Sequence, residues 1–217
     1  MTKKRWIALL SAVGIVIAAA LTTAAVMNGG SHSAEDDSPL LTPSTTATIP
    51  RTSTTHATTT TVDLSKLPQP EPPPADPYAA SPIIQIGSIQ IPKIGLLHPV
   101  FEGITLTVID HGPGHWPGSA LPCQAGNAVF PGHRVTHTHP FLNLDLLSPG
   151  DQIVFHMPGK DCVYKVIGTQ IVLPSALYVT NPTPTPTVTL IACNPKHSAA
   201  QRIVVTGKLV ASIPRPA

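Results

Sequence analysis

Cys193 closes the run Thr189-Leu190-Ile191-Ala192-Cys193. Arg202 stands nine residues later, at the head of Arg202-Ile203-Val204-Val205, and His133 lies sixty residues upstream in Pro131-Gly132-His133-Arg134. A thiol nucleophile needs a base or proton carrier and a positive group for the developing oxyanion. These three residue types can supply that set. A lone Cys in an apolar run is more often a small buried hydrophobe. Two features favour chemistry instead: Asn194-Pro195 ends the run at the Cys, and an Arg opens the next apolar run at short range.

His133 is one of ten His residues, so its type alone says little. It is singled out by its place at the end of the apolar run Ala128–Phe130, just before Arg134. His137 and His139 follow closely, and His111 and His115 are four apart, which raises zinc as the alternative. Gly112-Pro113-Gly114 between the latter two excludes a helical pair. No Cys or carboxylate stands at ligand spacing, so no metal or other cofactor is expected. Arg202 has its own bland reading as a structural ion-pair partner.

The elements that must hold these residues are short. Apolar, β-branched runs occur at Ile83–Ile91, Ala128–Phe130, Gln152–Met157, Val163–Val172, Thr187–Ala192 and Arg202–Val210, punctuated by Gly, Pro, Asn and Asp. Ile84 and Ile86, then Ile89 and Ile91, alternate with a slip at Gly87-Ser88. No segment carries a sustained 3.6-residue period, so the pattern predicts an all-β barrel or sandwich. Helical hints are confined to Ser119–Leu121 and Phe141–Leu147, the second ended by Ser148-Pro149-Gly150.

The 217 residues are not all one globule. Trp6–Met27 carries no charge and is long enough to span a bilayer, with Lys3, Lys4 and Arg5 before it and no Lys or Arg between it and Arg51. Residues 1–28 are therefore expected to be a cytoplasmic basic tip and an uncleaved signal-anchor, a cleaved signal peptide being the competing reading. That gives a single-pass membrane protein with its N-terminus in the cytoplasm and the rest outside. Residues 29–81 read as a tether: 11 of the 22 positions 41–62 are Thr, and Leu67–Pro77 is Pro-rich. Such a segment has too little apolar surface to offset its ordering entropy, and its Pro-rich end should be stiff and extended. Residues 82–217 form the folded domain. The net charge of +2, with no basic run and no phosphate loop, argues against nucleic acid as a partner.

Several segments carry a resemblance to a known family. Ile91-Pro92-Lys93-Ile94-Gly95-Leu96, Gly112–Ala120, Gly126–Arg134, the Phe141, Leu144, Leu147 and Gly150-Asp151 spacing, Thr189–Cys193 and Arg202–Val205 together resemble the sortases. These are the cysteine transpeptidases of Gram-positive cell surfaces, and Gly112–Ala120 resembles the actinobacterial class E members. The likeness runs from about residue 83 to 211. It implies a closed β-barrel of about eight strands, with Cys193 as nucleophile, His133 as proton donor and acceptor, and Arg202 on the oxyanion or substrate. It implies a substrate ending in a Leu-Pro-x-Thr-Gly or Leu-Ala-x-Thr-Gly sorting motif, cut between Thr and Gly. The acceptor would be the stem-peptide amine of a lipid-linked peptidoglycan precursor. Trp116, where class E relatives often carry Tyr, is expected to flank the sorting peptide.

The family usually has Thr where this chain has Ala192. A hydroxyl there would border the substrate, so its loss favours the alternative of a catalytically weak or inactive wall-binding module; a further alternative, a thiol peptidase using water, differs only in the acceptor. Cys123 and Cys162 are expected to pair in an extracytoplasmic domain, which would leave Cys193 as the free thiol; this rests on compartment alone.

Overall fold

The computed structural model of the chain describes residues 61–216. The candidate membrane span and most of the Thr-rich segment lie outside them. Among the described residues no helix is long and apolar enough to cross a membrane. The strands are β1 (Gln85–Ile91), β2 (Leu96–Glu102), β3 (Gly114–His115), β4 (Asn127–Pro131), β5 (Gln152–Met157), β6 (Lys160–Val172), β7 (Thr187–Asn194) and β8 (Gln201–Pro214), with one short helix, α1 (Leu106–Ile109). They form one eight-stranded sheet in the order β3-β2-β1-β5-β6-β8-β7-β4. Its two end strands approach each other: Trp116 N donates to Val129 O at 2.8 Å and Ala120 N to Asn127 O at 3.1 Å. The result is a nearly closed all-β barrel, as the short β-branched runs predict.

The slip at Gly87-Ser88 is a register shift in the β1–β2 pairing, between Gln85 and Gly87. The extra residue lets Ile89 and Ile91 turn inward, where both are fully buried. The interior is apolar, with Phe130, Phe141, Phe155, Tyr164, Leu190 and Val205 at its centre. Tyr164 has a partner there: its Oη accepts from Cys123 N at 2.8 Å. Burial pushes the Tyr164 phenol up to about 12, against the opposing pull of that hydrogen bond. Cys123 and Cys162 are bonded, with Cα atoms 5.4 Å apart, which ties the β3–β4 connection to β6.

The helical hint at Phe141–Leu147 resolves to a single 3-10 turn, Leu144–Leu146, and the Ser119 region is a turn. α1 was not indicated by any period, because four residues are too few to show one.

The Pro-rich segment departs from the extended tether that its composition suggests: it lies along the barrel. Glu71 N donates to Pro117 O at 2.9 Å and Leu106 N to Pro77 O at 2.7 Å. Trp116 Nε1 donates to Glu71 O at 2.8 Å, and Thr107 Oγ1 to Ala79 O at 2.8 Å. Gly118, at φ 75°, makes room for it, since a Cβ there would collide with Gln69 O. The entropy argument holds for a segment that must build its own core. It does not apply to one that borrows a surface, and Pro has little backbone freedom left to lose.

Candidate active site

β4 and β7 run parallel with a constant offset of sixty residues, from Asn127 opposite Thr187 to Pro131 opposite Ile191. Gly132 N continues the contact, donating to Ile191 O at 2.9 Å. Just beyond these last paired residues, His133 and Cys193, also sixty residues apart, line one cavity. The sixty-residue spacing in the sequence thus matches the offset of the β4–β7 pairing that precedes it. Gly132 is required at this point, because a Cβ would meet the Phe141 ring at 2.8 Å. Across the other edge of β7, the antiparallel pairing with β8 puts Arg202 directly opposite Cys193. Residues opposed in an antiparallel pair project to the same face. The nine-residue spacing is therefore a pair of adjacent strand ends.

His133 and Cys193 line one open cavity of about 340 Å³ with Arg134, Thr136, His197 and Ser198. Cys193 is the free cysteine of the described residues and is partly accessible. Arg202, on the same face, does not line that cavity but an adjoining apolar one of about 280 Å³ with Trp116, Ile191 and Val204, walled by Pro73, Pro74 and Pro77 of the docked segment. Its Nη1 donates to the carbonyls of Ala199 and Gln201, both at 2.9 Å. Trp116 thus stands in the groove wall, with its indole N–H held by the Pro-rich segment.

Ala192 is placed differently from the sequence expectation. It is 2 % exposed and packs in the barrel core, while Ile191 before it faces the groove. Strand alternation forces this: with Cys193 outward, its neighbour must point inward. A hydroxyl added at this position would enter the core rather than the groove.

Two neighbours were not legible in the sequence. Asp110, just after α1, accepts from His133 Nε2 at 2.8 Å. With Nε2 so engaged, Nδ1 is the ring nitrogen left for proton exchange. His137 Nδ1 lies 3.3 Å from the same carboxylate oxygen. Asp110 stands twenty-three residues from His133, and only the closure of β3 against β4 brings them together. The second neighbour is Arg134, 3 % exposed. It donates through Nη1 to Cys193 O and Asn194 Oδ1, both at 3.2 Å, and through Nε to Leu142 O at 3.0 Å. Its Nη2 pairs with Asp145 at 2.9 Å. Burial pushes the Asp145 carboxyl up, but a backbone N–H and the Arg134 and Lys196 charges outweigh it and hold the group below its ordinary value. Arg134 thereby clamps the backbone of Cys193 to the strand end that carries His133.

His111 and His115 do not converge. His111 Nδ1 contacts Thr107 O at 2.9 Å, whereas His115 is buried, with Nδ1 on Glu102 at 2.9 Å and Nε2 on Ala120 O and Ser119 Oγ at 3.0 Å.

The sortase domain family model matches residues 89–210. The chain belongs to the sortase family. It is 35 % identical over 143 residues to sortase SrtE1 of Streptomyces coelicolor, a stretch covering 58 % of this chain and 41 % of that protein. It is 33 % identical over 86 residues to sortase D of Bacillus subtilis, covering 40 % and 42 % respectively. The chain therefore spans about two fifths of the length of these curated relatives. Among solved structures, it is similar to the Streptomyces coelicolor sortase E1 with a tripeptide in its active site, at 30 % identity and a TM-score of 0.58. That match covers 61 % of this chain and 91 % of the other. Sortase A from Corynebacterium diphtheriae matches at 31 % identity and a TM-score of 0.57, covering 60 % and 63 %. The sortase family is one of cysteine transpeptidases, and this member is class E-like.

Proposed function

We infer that the chain is a membrane-anchored transpeptidase joining secreted proteins to the cell wall. The single observation carrying this reading is the adjacency of three residues at the ends of β4, β7 and β8: His133 lines a cavity with Cys193, and Arg202 stands opposite Cys193 in the β7–β8 pairing, on the same sheet face. The Cys193 thiolate attacks the Thr carbonyl carbon of a Leu-Pro-x-Thr-Gly or Leu-Ala-x-Thr-Gly sorting motif. The Arg202 guanidinium stabilises the oxyanion or holds the substrate backbone. His133 protonates the leaving Gly amine, so the C–N bond breaks and a thioester remains on Cys193. The amine of a peptidoglycan precursor then attacks the thioester, His133 takes its proton, and the thiolate is released. The apolar head of the motif suits the cavity formed by Trp116, Ile191, Val204 and the Pro-rich wall. Lys3, Lys4 and Arg5 ahead of Trp6–Met27 support anchoring with the domain outside.

The test is incubation of the full chain with both peptides and an excess of amine, the products being read by mass spectrometry. The expected product is the peptide through Thr joined to the amine, from wild type and not from Cys193→Ala. Cleavage with only a water-derived acid as product would make the protein a thiol peptidase. No turnover of either peptide by folded protein would contradict the reading.

A further inference from the structure

We propose that Asp110, His133 and His137 form a binding site for a transition-metal dication, Zn2+ foremost, whose occupancy switches transpeptidation off. Three ligand atoms converge there from three segments: the end of α1, the strand end after β4, and the following loop. His133 Nε2 and His137 Nδ1 lie 2.8 and 3.3 Å from Asp110 Oδ1, and all three residues offer ligand atoms within 4.8 Å of one another. Zinc–nitrogen and zinc–oxygen bonds of ~2.0–2.1 Å at tetrahedral angles separate ligand atoms by about 3.3 Å. The trio is therefore close to the spacing that a shared ion would impose. The imidazole centroids lie only 4.7 Å apart, at 30° between planes, so small ring rotations bring both nitrogens to a common point.

The donor set decides the class of ion. Two imidazoles and one carboxylate suit zinc and its transition-metal neighbours, whereas calcium and magnesium favour all-oxygen shells. Three protein ligands leave a fourth position open, and the cluster is reachable, the side chains of Asp110 and His137 being 34 % and 50 % exposed.

The consequence rests on the proposed function. A metal ligated by Nε2 requires a neutral imidazole and displaces the proton now shared with Asp110. His133 held in that form does not become the imidazolium that must protonate the leaving amine. His137 thus has a role that catalysis does not require: it completes the metal site around the proton carrier.

The test separates binding from activity. Zinc binding to the purified full chain is measured by competition with a chromogenic chelator, and Co2+ is used as a spectroscopic substitute. Wild type and Cys193→Ala should bind one ion with the same affinity and give the visible absorption band of tetrahedral Co2+. His137→Gln and Asp110→Asn should each weaken zinc binding by about tenfold or more. Undiminished affinity in both ligand variants, or binding lost in Cys193→Ala, would overturn the site. In the peptide assay, zinc should stop wild-type turnover reversibly, a chelator restoring it, and His137→Gln should need about tenfold more zinc for the same inhibition. Full turnover of zinc-loaded wild type would overturn the switch. If no variant turns over peptide at all, the function fails, while the binding titration still decides the site.

Discussion

Replacing both Cys123 and Cys162 by Ala should lower the thermal midpoint by more than any surface substitution. The bond closes a loop of 39 residues. A loop of that length removes about 4 kcal/mol of unfolded-chain entropy at 25 °C in the chain-entropy account. Cys162 is fully buried in the core, so loss of its sulfur adds a packing cost of about 1 kcal/mol. For a domain of this size each kcal/mol moves the midpoint by roughly 3–4 °C, which gives a fall of about 15–20 °C. The measurement is far-UV circular dichroism on heating, in a Cys193→Ala background so that no free thiol can exchange. Reduction of the background protein should give a similar fall. The Tyr164 hydrogen bond to Cys123 N survives the substitution, so the β3–β4 connection keeps a second tie and the barrel still folds. A fall under about 3 °C would mean that the unfolded chain gains almost nothing from release of the loop, contrary to the chain-entropy account.

His133→Ala and Arg202→Ala should each lower kcat/KM by ~10²-fold or more in the peptide assay, as loss of a proton carrier or oxyanion donor does, and His139→Ala should cost far less. Arg134→Met should destabilise the domain by about 1–3 kcal/mol in urea unfolding, because the acceptors around the guanidinium, Leu142 O and Cys193 O among them, lose their donor, while the half-exposed Asp145 stays solvated. It should also lower kcat at temperatures where the protein remains folded. Asp145 titrates below its ordinary 3.8 in the folded state, so its contribution is complete above that value and is lost as the pH falls through the folded value. Asp145→Asn should therefore lower the midpoint at pH 7 and lose less than wild type between pH 5 and 3, as followed by thermal scans across that range.

The parts of the fold that a local pattern specifies were readable in advance. β5, β6, β7 and β8 coincide with β-branched runs, and the bulge in β1 showed as a broken alternation at Gly87-Ser88. The placement of the three candidate residues follows strand pairing: β4 and β7 pair at an offset of sixty residues up to Pro131 and Ile191, just before His133 and Cys193, and Cys193 pairs with Arg202 nine residues on. What escaped depends on contacts between segments that share no pattern. Asp110 meets His133 only through barrel closure. Arg134 looks like any Arg beside a His until its carbonyl acceptors are seen. The Pro-rich segment reads as a spacer because composition reports what a segment lacks, not which surface will receive it. Ala192 was set against the substrate by adjacency to Cys193, whereas alternation along β7 turns it into the core.

The most direct test of the account is the intact mass of the full chain after brief incubation with a Leu-Pro-x-Thr-Gly or Leu-Ala-x-Thr-Gly peptide and no added amine, followed by peptide mapping. The account predicts one adduct, equal to the peptide through its Thr, located on Cys193, released by hydroxylamine and absent from Cys193→Ala. Peptide cleavage by Cys193→Ala, or an adduct on any other residue, would contradict it.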